Sequence, residues 1–238
     1  MDNAIYATLT RQSGLMNEMR TVANNIANAN TNGFRREGVI FSEHLTALDR
    51  RGDTLSMANA RGRLVDLSVA PVSQTNGTFD LAIEGEGFFM VQTPEGNRLT
   101  RAGAYMLSPE GELMNAEGYR LLDEGQAPIA IPGGADRIAI GPDGTVSADG
   151  QPLAQIGVFA EPAREDITYT GGTLFVPSGE VEPQENPRIL QGFLEDSNVN
   201  PLQEISRMIE VQRAYELGQS FLDREDQRIR NVITAMSR

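Results

Sequence analysis

Met208, Tyr215, Leu222, Ile229 and Met236 recur every seven residues toward one end of this chain. Toward the other, Ile5, Leu9, Gln12, Met16, Met19, Ala23 and Ile26 step alternately by fours and threes. Only a helix lines up such positions, and only a packed partner rewards their burial. The spacing predicts a helix over residues 4–31, roughly 40 Å long, with Leu15 and Val22 widening its apolar face. Asp2 or Asn3 can cap its start, and Asn32-Gly33 can supply the left-handed residue that stops it. The second helix opens at Asn200-Pro201-Leu202-Gln203, with a capping Asn, Pro at the first helical position and Gln at the third. Its companion seam of Ile205, Gln212, Gln219, Asp226 and Ile233 is mostly polar. Glu204–Arg207, Glu210–Arg213 and Asp226–Arg230 are spaced to pair along it, each pair contributing only a few tenths of a kcal/mol.

Between the helical stretches the period falls to two. From Thr78, Phe79, Leu81 and Ile83 alternate with Asp80 and Ala82, and Gly87-Phe88-Phe89-Met90-Val91-Gln92 follows a Gly-rich turn. Further short apolar runs are separated by Pro94-Glu95-Gly96, Pro109-Glu110-Gly111, Pro142-Asp143-Gly144 and similar turns. This pattern predicts an all-β sandwich or barrel-like domain. Residues 35–75 show no sustained period beyond a short apolar element at Val39, Ile40, Phe41 and Leu45 and a turn at Arg50-Arg51-Gly52-Asp53, and read as a long connector.

The expected fold is therefore α+β: long N- and C-terminal helices packed as a coiled-coil-like unit, with an all-β domain inserted between them. The expected divisions are 1–34 for the N-terminal helix, 35–75 for an extended connector, 76–186 for the β domain, and 187–238 for a connector and the C-terminal helix. Two helices bury only one face each, so such a unit needs neighbouring copies or related chains for stability.

The stretch 21–34 supports that expectation. It holds Asn24, Asn25, Asn28, Asn30 and Asn32, a residue type that competes with the helix backbone and costs about 0.5 kcal/mol relative to Ala. Amides at this density beside a heptad seam suit an interface that fixes register without introducing charge. The expected assembly interface is thus Leu9, Met16, Met19, Ala23 and Ile26, with the five amides and Phe34. Ile205, Met208, Gln212, Tyr215, Leu222, Ile229 and Met236 form its C-terminal part.

Composition narrows the chemistry. The chain has no Cys, no Lys and a single His, His44, so thiol catalysis, disulfides and Cys-ligated zinc are excluded. The terminal stretches are nearly neutral, and most of the net charge of −13 lies between them, which argues against nucleic acid or anionic lipid as partner. No apolar run has the length of a membrane span, and the start Met-Asp-Asn-Ala-Ile-Tyr lacks the features of a cleaved signal peptide. Glu84 and Glu86 form an i, i+2 carboxylate pair, but Gly85 between them favours a solvated turn over an acid/base pair. Asp143 and Asp149 lack the ligand ladder of a calcium loop and read as hairpin turns. No metal, cofactor or small-molecule substrate is expected.

Three separated stretches resemble the rod and hook family of bacterial flagellar axial proteins. They are Ala23-Asn24-Asn25-Ile26-Ala27-Asn28-Ala29-Asn30-Thr31-Asn32-Gly33-Phe34; Asp80-Leu81-Ala82-Ile83-Glu84-Gly85-Glu86-Gly87-Phe88-Phe89 with Leu99-Thr100-Arg101-Ala102-Gly103; and Asn198-Val199-Asn200-Pro201 with Met208-Ile209-Glu210-Val211-Gln212-Arg213-Ala214-Tyr215-Glu216. The resemblance implies a non-enzymatic structural subunit of the basal-body rod, polymerising into a helical, torque-transmitting shaft across the periplasm. It implies export by the flagellar type III apparatus without a cleaved signal, and partners among its own copies and the other rod proteins. The resemblance is greatest to a proximal-rod subunit, with a distal-rod subunit next. The competing class is a secreted glycan-binding or hydrolytic β domain, for which exposed aromatics would be needed; aromatic residues are 6% of the chain and Trp is absent.

Overall fold

The computed structural model describes residues 2–47, 54–135, 137–161, 163 and 167–236, with side chains described at 8–40 and from 64 onward within those ranges. The turn expected at Arg50–Asp53 and the His44 side chain lie outside what is described. The chain divides into two compact units. The first comprises Met1–Ala29, Arg36–Asp66 and Val199–Arg238; the second comprises Asn30–Arg35 and Leu67–Asn198.

In the first unit, α1 (Asp2–Ala27) and α2 (Pro201–Met236) pack together, and the antiparallel strands β1 (Glu37–Ala47) and β2 (Thr54–Val65) lie against α1. Glu37 pairs with Val65 at one end of the ladder and Ala47 with Thr54 at the other, with a bulge between Ile40 and Phe41. The stretch read as a connector is thus largely a long hairpin; its apolar positions alternate with polar ones too irregularly to announce a strand, and the bulge breaks the period further.

The coiled-coil-like pair of long helices is corrected by this arrangement. α1 is the shorter helix, with 26 residues against 36 in α2, a hairpin shares its surface, and the region between the helices is mostly β. The buried stripe of α1 is Leu15, Glu18, Thr21, Val22 and Asn25, so it runs through the residues expected only to widen the face. Leu9 and Ala23 of the expected seam are exposed, and Gln12, Met16, Met19 and Ile26 are half-buried. On α2 the covered line is Glu204, Met208, Val211, Tyr215, Gly218, Leu222 and Glu225, which keeps one expected heptad row and shifts its companion by one residue. Burial of Glu18, Asn25 and Glu204 explains the shift, because these groups must reach donors and acceptors that an all-apolar seam does not offer. α1 also stops before residue 31. The Asn28 side chain turns back to the Asn24 carbonyl at 2.9 Å, and Ala29 N–H donates to the Ile26 carbonyl, closing the last turn tightly.

The second unit contains β3 (Val72–Gln74), β4 (Leu81–Ile83), β5 (Phe88–Thr93), β6 (Gly96–Thr100), β7 (Met106–Leu107), β8 (Leu113–Met114) and β9 (Arg120–Leu121). It continues with β10 (Ile138–Ile140), β11 (Thr145–Ala148), β12 (Gln151–Gln155), β13 (Val158–Phe159), β14 (Ile167–Gly171), β15 (Leu174–Pro177), β16 (Ile189–Gln191) and β17 (Phe193–Glu195). The largest sheet runs β14-β15-β6-β5-β9-β8-β7, with β13 also paired to β5; β10-β11-β12 forms a second sheet, and β16-β4 and β17-β3 are antiparallel pairs. Phe88, Phe89, Met90 and Val91 are all buried because β5 is covered on both faces, and so are Leu81, Ala82 and Ile83 of β4. Phe89, Leu121, Ile129, Ile156 and Ile189 meet in one core, where the Phe89 and Tyr105 rings stand edge-to-face with centroids 5.9 Å apart.

Gly103 marks where backbone meets backbone, and Gly118 does not. A Cβ at Gly103 would lie 1.7 Å from the Leu81 carbonyl oxygen, whereas one at Gly118 (φ +84°) would meet nothing within 4 Å. Gly103→Ala should therefore lower the unfolding free energy by about 3 kcal/mol or more through forced displacement of β4. Gly118→Ala should cost only the left-handed strain of about 1 kcal/mol. Urea unfolding of the two variants tests the difference.

Candidate functional site

Three charged or amide side chains that the apolar pattern did not single out organise the first unit. Glu204, in the first turn of α2, is buried. Its Oε1 accepts from Arg36 Nε at 2.6 Å and its Oε2 from Asn25 Nδ2 at 3.0 Å. The fully buried Asn25 amide also donates to the Glu37 carbonyl at 2.8 Å and accepts from the Glu37 N–H at 2.9 Å. It thereby pairs with β1 as a strand residue would, while its position on α1 keeps it against α2. Asn24 Nδ2 donates to the Glu37 carboxylate at 2.6 Å, and Asn28 Nδ2 to Asn24 Oδ1 at 3.1 Å.

Farther along the helices, Arg207 Nε donates to Glu18 at 2.7 Å, and Gln12 Nε2 donates to the Tyr215 carbonyl at 3.1 Å. These contacts set α1 and α2 antiparallel. The Glu18 hydrogen bond raises the Arg207 pKa, against the opposing effect of burial. The expected Glu204–Arg207 pairing is thus redistributed: Glu204 binds Arg36, and Arg207 binds Glu18 and Glu210. Asp226–Arg230 pairs at 2.8 Å as spaced, and the Asn200 side chain caps α2 by accepting from the Leu202 and Gln203 N–H groups.

In the second unit, Glu195 of β17 is buried between Arg35 Nη2 at 2.7 Å and Arg101 Nη1 at 3.2 Å. Its Oε1 also accepts from the Ala70 N–H at 2.9 Å. Arg101 donates to the Ile83 and Gly85 carbonyls and lies over the Phe88 ring. Burial pulls its pKa down to about 10, with Glu195 opposing and Arg35 adding to the depression. The Thr31-Asn32-Gly33-Phe34-Arg35 stretch completes this lock. Phe34 is fully buried, and Gly33 (φ +69°) lies so close that a Cβ would be 2.3 Å from the Ala102 nitrogen. That contact explains why Gly follows Asn32 in the motif.

The expected interface residues therefore separate. Asn25 and Phe34 are internal, while Asn24 and Asn28 are half-buried and bonded within the chain. Asn30, Ile205, Gln212, Ile229 and Met236 are exposed; Asn32, Met208, Tyr215 and Leu222 are half-buried. Arg35, Arg36, Glu37 and Glu195 were missed, and Glu204 was read only as a partner of Arg207, because single charges carry no period; the only signal was their adjacency to the Asn-rich and Asn-Pro motifs.

The other candidates have ordinary partners. Glu84 and Glu86 are exposed, and Glu84 meets Arg188 at 3.3 Å. The Asp143 carboxylate accepts from both the hydroxyl and the N–H of Thr145, which lowers its pKa, and Asp149 accepts from the Arg137 N–H. Among the described residues, no helix is long and apolar enough to cross a membrane.

Comparison with known proteins covers the same three regions. Residues 5–35 match the model described as "Flagella basal body rod protein", residues 82–148 that of the "Flagellar hook protein FlgE/F/G D1 domain", and residues 190–235 that of the "Flagellar basal body rod FlgEFG protein C-terminal". The flagellar basal-body rod protein FlgF of Caulobacter vibrioides is 36% identical, over 100% of this chain and 99% of its own length. FlgF of Rhizobium meliloti is 34% identical over 91% and 90%, and the rod protein FlgG of Bacillus subtilis 28% over 98% of each chain.

Asn25→Ala should destabilise the first unit by roughly 3 kcal/mol, since it strands the Glu37 backbone groups and part of the Glu204 carboxylate. Asn25→Asp should do so more severely, by setting a second carboxylate beside Glu204. Its folded-state pKa is then raised, so its deficit against the native chain should shrink as pH falls toward about 4. Urea unfolding of the three chains from pH 7 downward measures both effects.

Proposed function

The chain belongs to the flagellar basal-body rod protein family, in its FlgF group, and is a structural subunit of the rod; we propose that it polymerises through its first unit into the helical shaft that carries torque across the periplasm. The observation that carries this reading is α2. Ile205, Ile209, Leu217, Phe221, Ile229, Val232, Ile233 and Met236 are exposed on it, and only Glu204 and Val211 are fully buried. Apolar side chains in that number on one helix mark a surface meant for another chain.

On this reading the exposed Leu9, Ala23, Ile205, Ile229 and Met236 meet neighbouring subunits, flanked by Met16, Met19, Ile26, Met208, Gln212, Tyr215 and Leu222. Asn24, Asn28, Asn30 and Asn32 supply polar register at the end of α1. Asn25 and Phe34 act from inside, by holding the segments that present these surfaces. The chain has no catalytic role; the exposed, Arg-paired setting of Glu84 supports that over acid/base chemistry. It leaves the cytoplasm through the flagellar type III apparatus with its N-terminus uncleaved, and its partners are further copies and the other rod proteins. Three FlgF relatives at 34% to 36% identity, against 28% to 31% for the FlgG relatives, support a proximal position in the rod.

Immunolabelled basal bodies should carry the chain nearer the inner-membrane ring than the hook, and peptide mapping should recover its N-terminal residues intact. The double variant Leu9→Asp, Met236→Asp should leave unfolding of the second unit unchanged but cut incorporation and swimming about tenfold or more. Normal swimming by that variant would remove the first unit from the assembly surface.

A further inference from the structure

The second unit buries more positive charge than negative. The Arg35 and Arg101 side chains are each 1% exposed and that of Glu195 not at all, and the single carboxylate lies 2.7 Å from Arg35 Nη2 and 3.2 Å from Arg101 Nη1. Two guanidinium groups against one carboxylate leave one positive charge in excess. Arg101 finds acceptors elsewhere, in the Ile83 and Gly85 carbonyls, and rests on the Phe88 ring. Arg35 has no such relief. Among the described residues its Nε and Nη1 meet no hydrogen-bond acceptor, although both atoms are closed off from solvent.

An arginine cannot shed its proton to escape such a setting, so the charge has to be answered from outside the side chains described so far. Glu86 and Glu161 also attract Arg101. Glu86 is exposed, however, and Glu161 half-buried, so water screens both. Glu195 has little left to offer, since its Oε1 already accepts from the Ala70 N–H as well as from Arg35. Buried polar groups left in this state point to a bound water or ion. A water molecule would accept from Arg35 but leave the excess charge in place. A singly charged anion meets both needs, whereas a doubly charged phosphate or sulfate would overshoot neutrality and is large for so enclosed a cluster.

We propose that the Arg35–Glu195–Arg101 cluster binds a small monovalent anion of the halide class, with chloride as the physiological member, against the unanswered N–H groups of Arg35. The anion neutralises the buried group and ties the Gly33-Phe34-Arg35 stretch into the second unit. That stretch is already held by the Gly33 N–H on the Glu195 carbonyl at 2.8 Å and by the fully buried Phe34. Lifting it away would release the anion, so the anion opposes the opening in proportion to its own concentration. This site lies within the second unit and does not depend on the rod reading.

Hydrogen exchange of the full-length chain, read by mass spectrometry in chloride–gluconate mixtures of constant ionic strength, tests the site. Peptides spanning Gly33 and Ala70 should exchange about tenfold more slowly for each tenfold rise in chloride above half-saturation. Bromide should replace chloride, and peptides from α2 in the first unit should not respond. Arg35→Met and Arg101→Met each remove the excess charge and should abolish the response. Should either variant fail to fold, the native chain in the two salts decides alone. Equal exchange at Gly33 and Ala70 in chloride and gluconate overturns the proposal and leaves water as the occupant. Equal slowing of the α2 peptides overturns it as well, by showing a general salt effect, and so does a folded Arg101→Met chain that responds as the native one does.

Discussion

Glu204 carries its carboxylate to a place where water scarcely reaches it, and the first unit is built around supplying donors there. Arg36 brings the charge and Asn25 brings an amide, and the same amide engages both backbone groups of Glu37. A buried carboxylate deprived of either donor faces a desolvation penalty of several kcal/mol, so the three segments cannot separate one at a time. Such a knot adds less net stability than apolar packing of equal volume. What it does add is register, since a helix slipped so that Ile26 took the place of Asn25 would present no amide to Glu204.

The second unit repeats the device with different participants. Glu195 is held by Arg35, Arg101 and the Ala70 amide, so an acid just before the C-terminal helix is paired with an arginine that follows the N-terminal motif and one from the central motif. Arg35 and Arg36 are consecutive, yet each answers a different buried acid in a different unit. The Phe-Arg-Arg triplet after Gly33 is therefore a branching point in the architecture. Within the second unit, the conformation of Gly33 and the depth of Phe34 hold Arg35 against Glu195.

Much of this was legible in the sequence in kind, and less of it in place. The period of two from Thr78 and the Gly-containing turns identified the β region, because alternation and turn chemistry are local. The heptads at both ends announced helices, and Asn200-Pro201 located the start of α2. The failure came at the seam. Counting Leu, Met and Ile chose a line through Leu9, Met16 and Ala23, while the fold buries Glu18, Thr21 and Asn25. Hydrophobic periodicity has no means of ranking a buried Asn whose partners lie 12 and 179 residues away. The hairpin over 37–65 was hidden for a related reason: its strands carry Glu, Ser, Asn and Arg at positions where apolar residues would have revealed the period.

The position of Gly33 also bears on chemical ageing. An Asn followed by Gly is prone to lose its side-chain amide, because the glycine nitrogen can fold back on the carboxamide and close a five-membered imide. In the second unit the Gly33 N–H is instead committed to the Glu195 carbonyl at 2.8 Å, and the residue has no freedom to swing toward Asn32. At Asn76-Gly77, where Asn76 is exposed and Gly77 half-buried, the glycine N–H meets the Thr75 hydroxyl at 3.3 Å. Spontaneous conversion to aspartate or isoaspartate thus falls on a surface turn and spares the stretch that joins α1 to the rest of the chain. The geometry that locks the fold at Gly33 is also what preserves the covalent structure there.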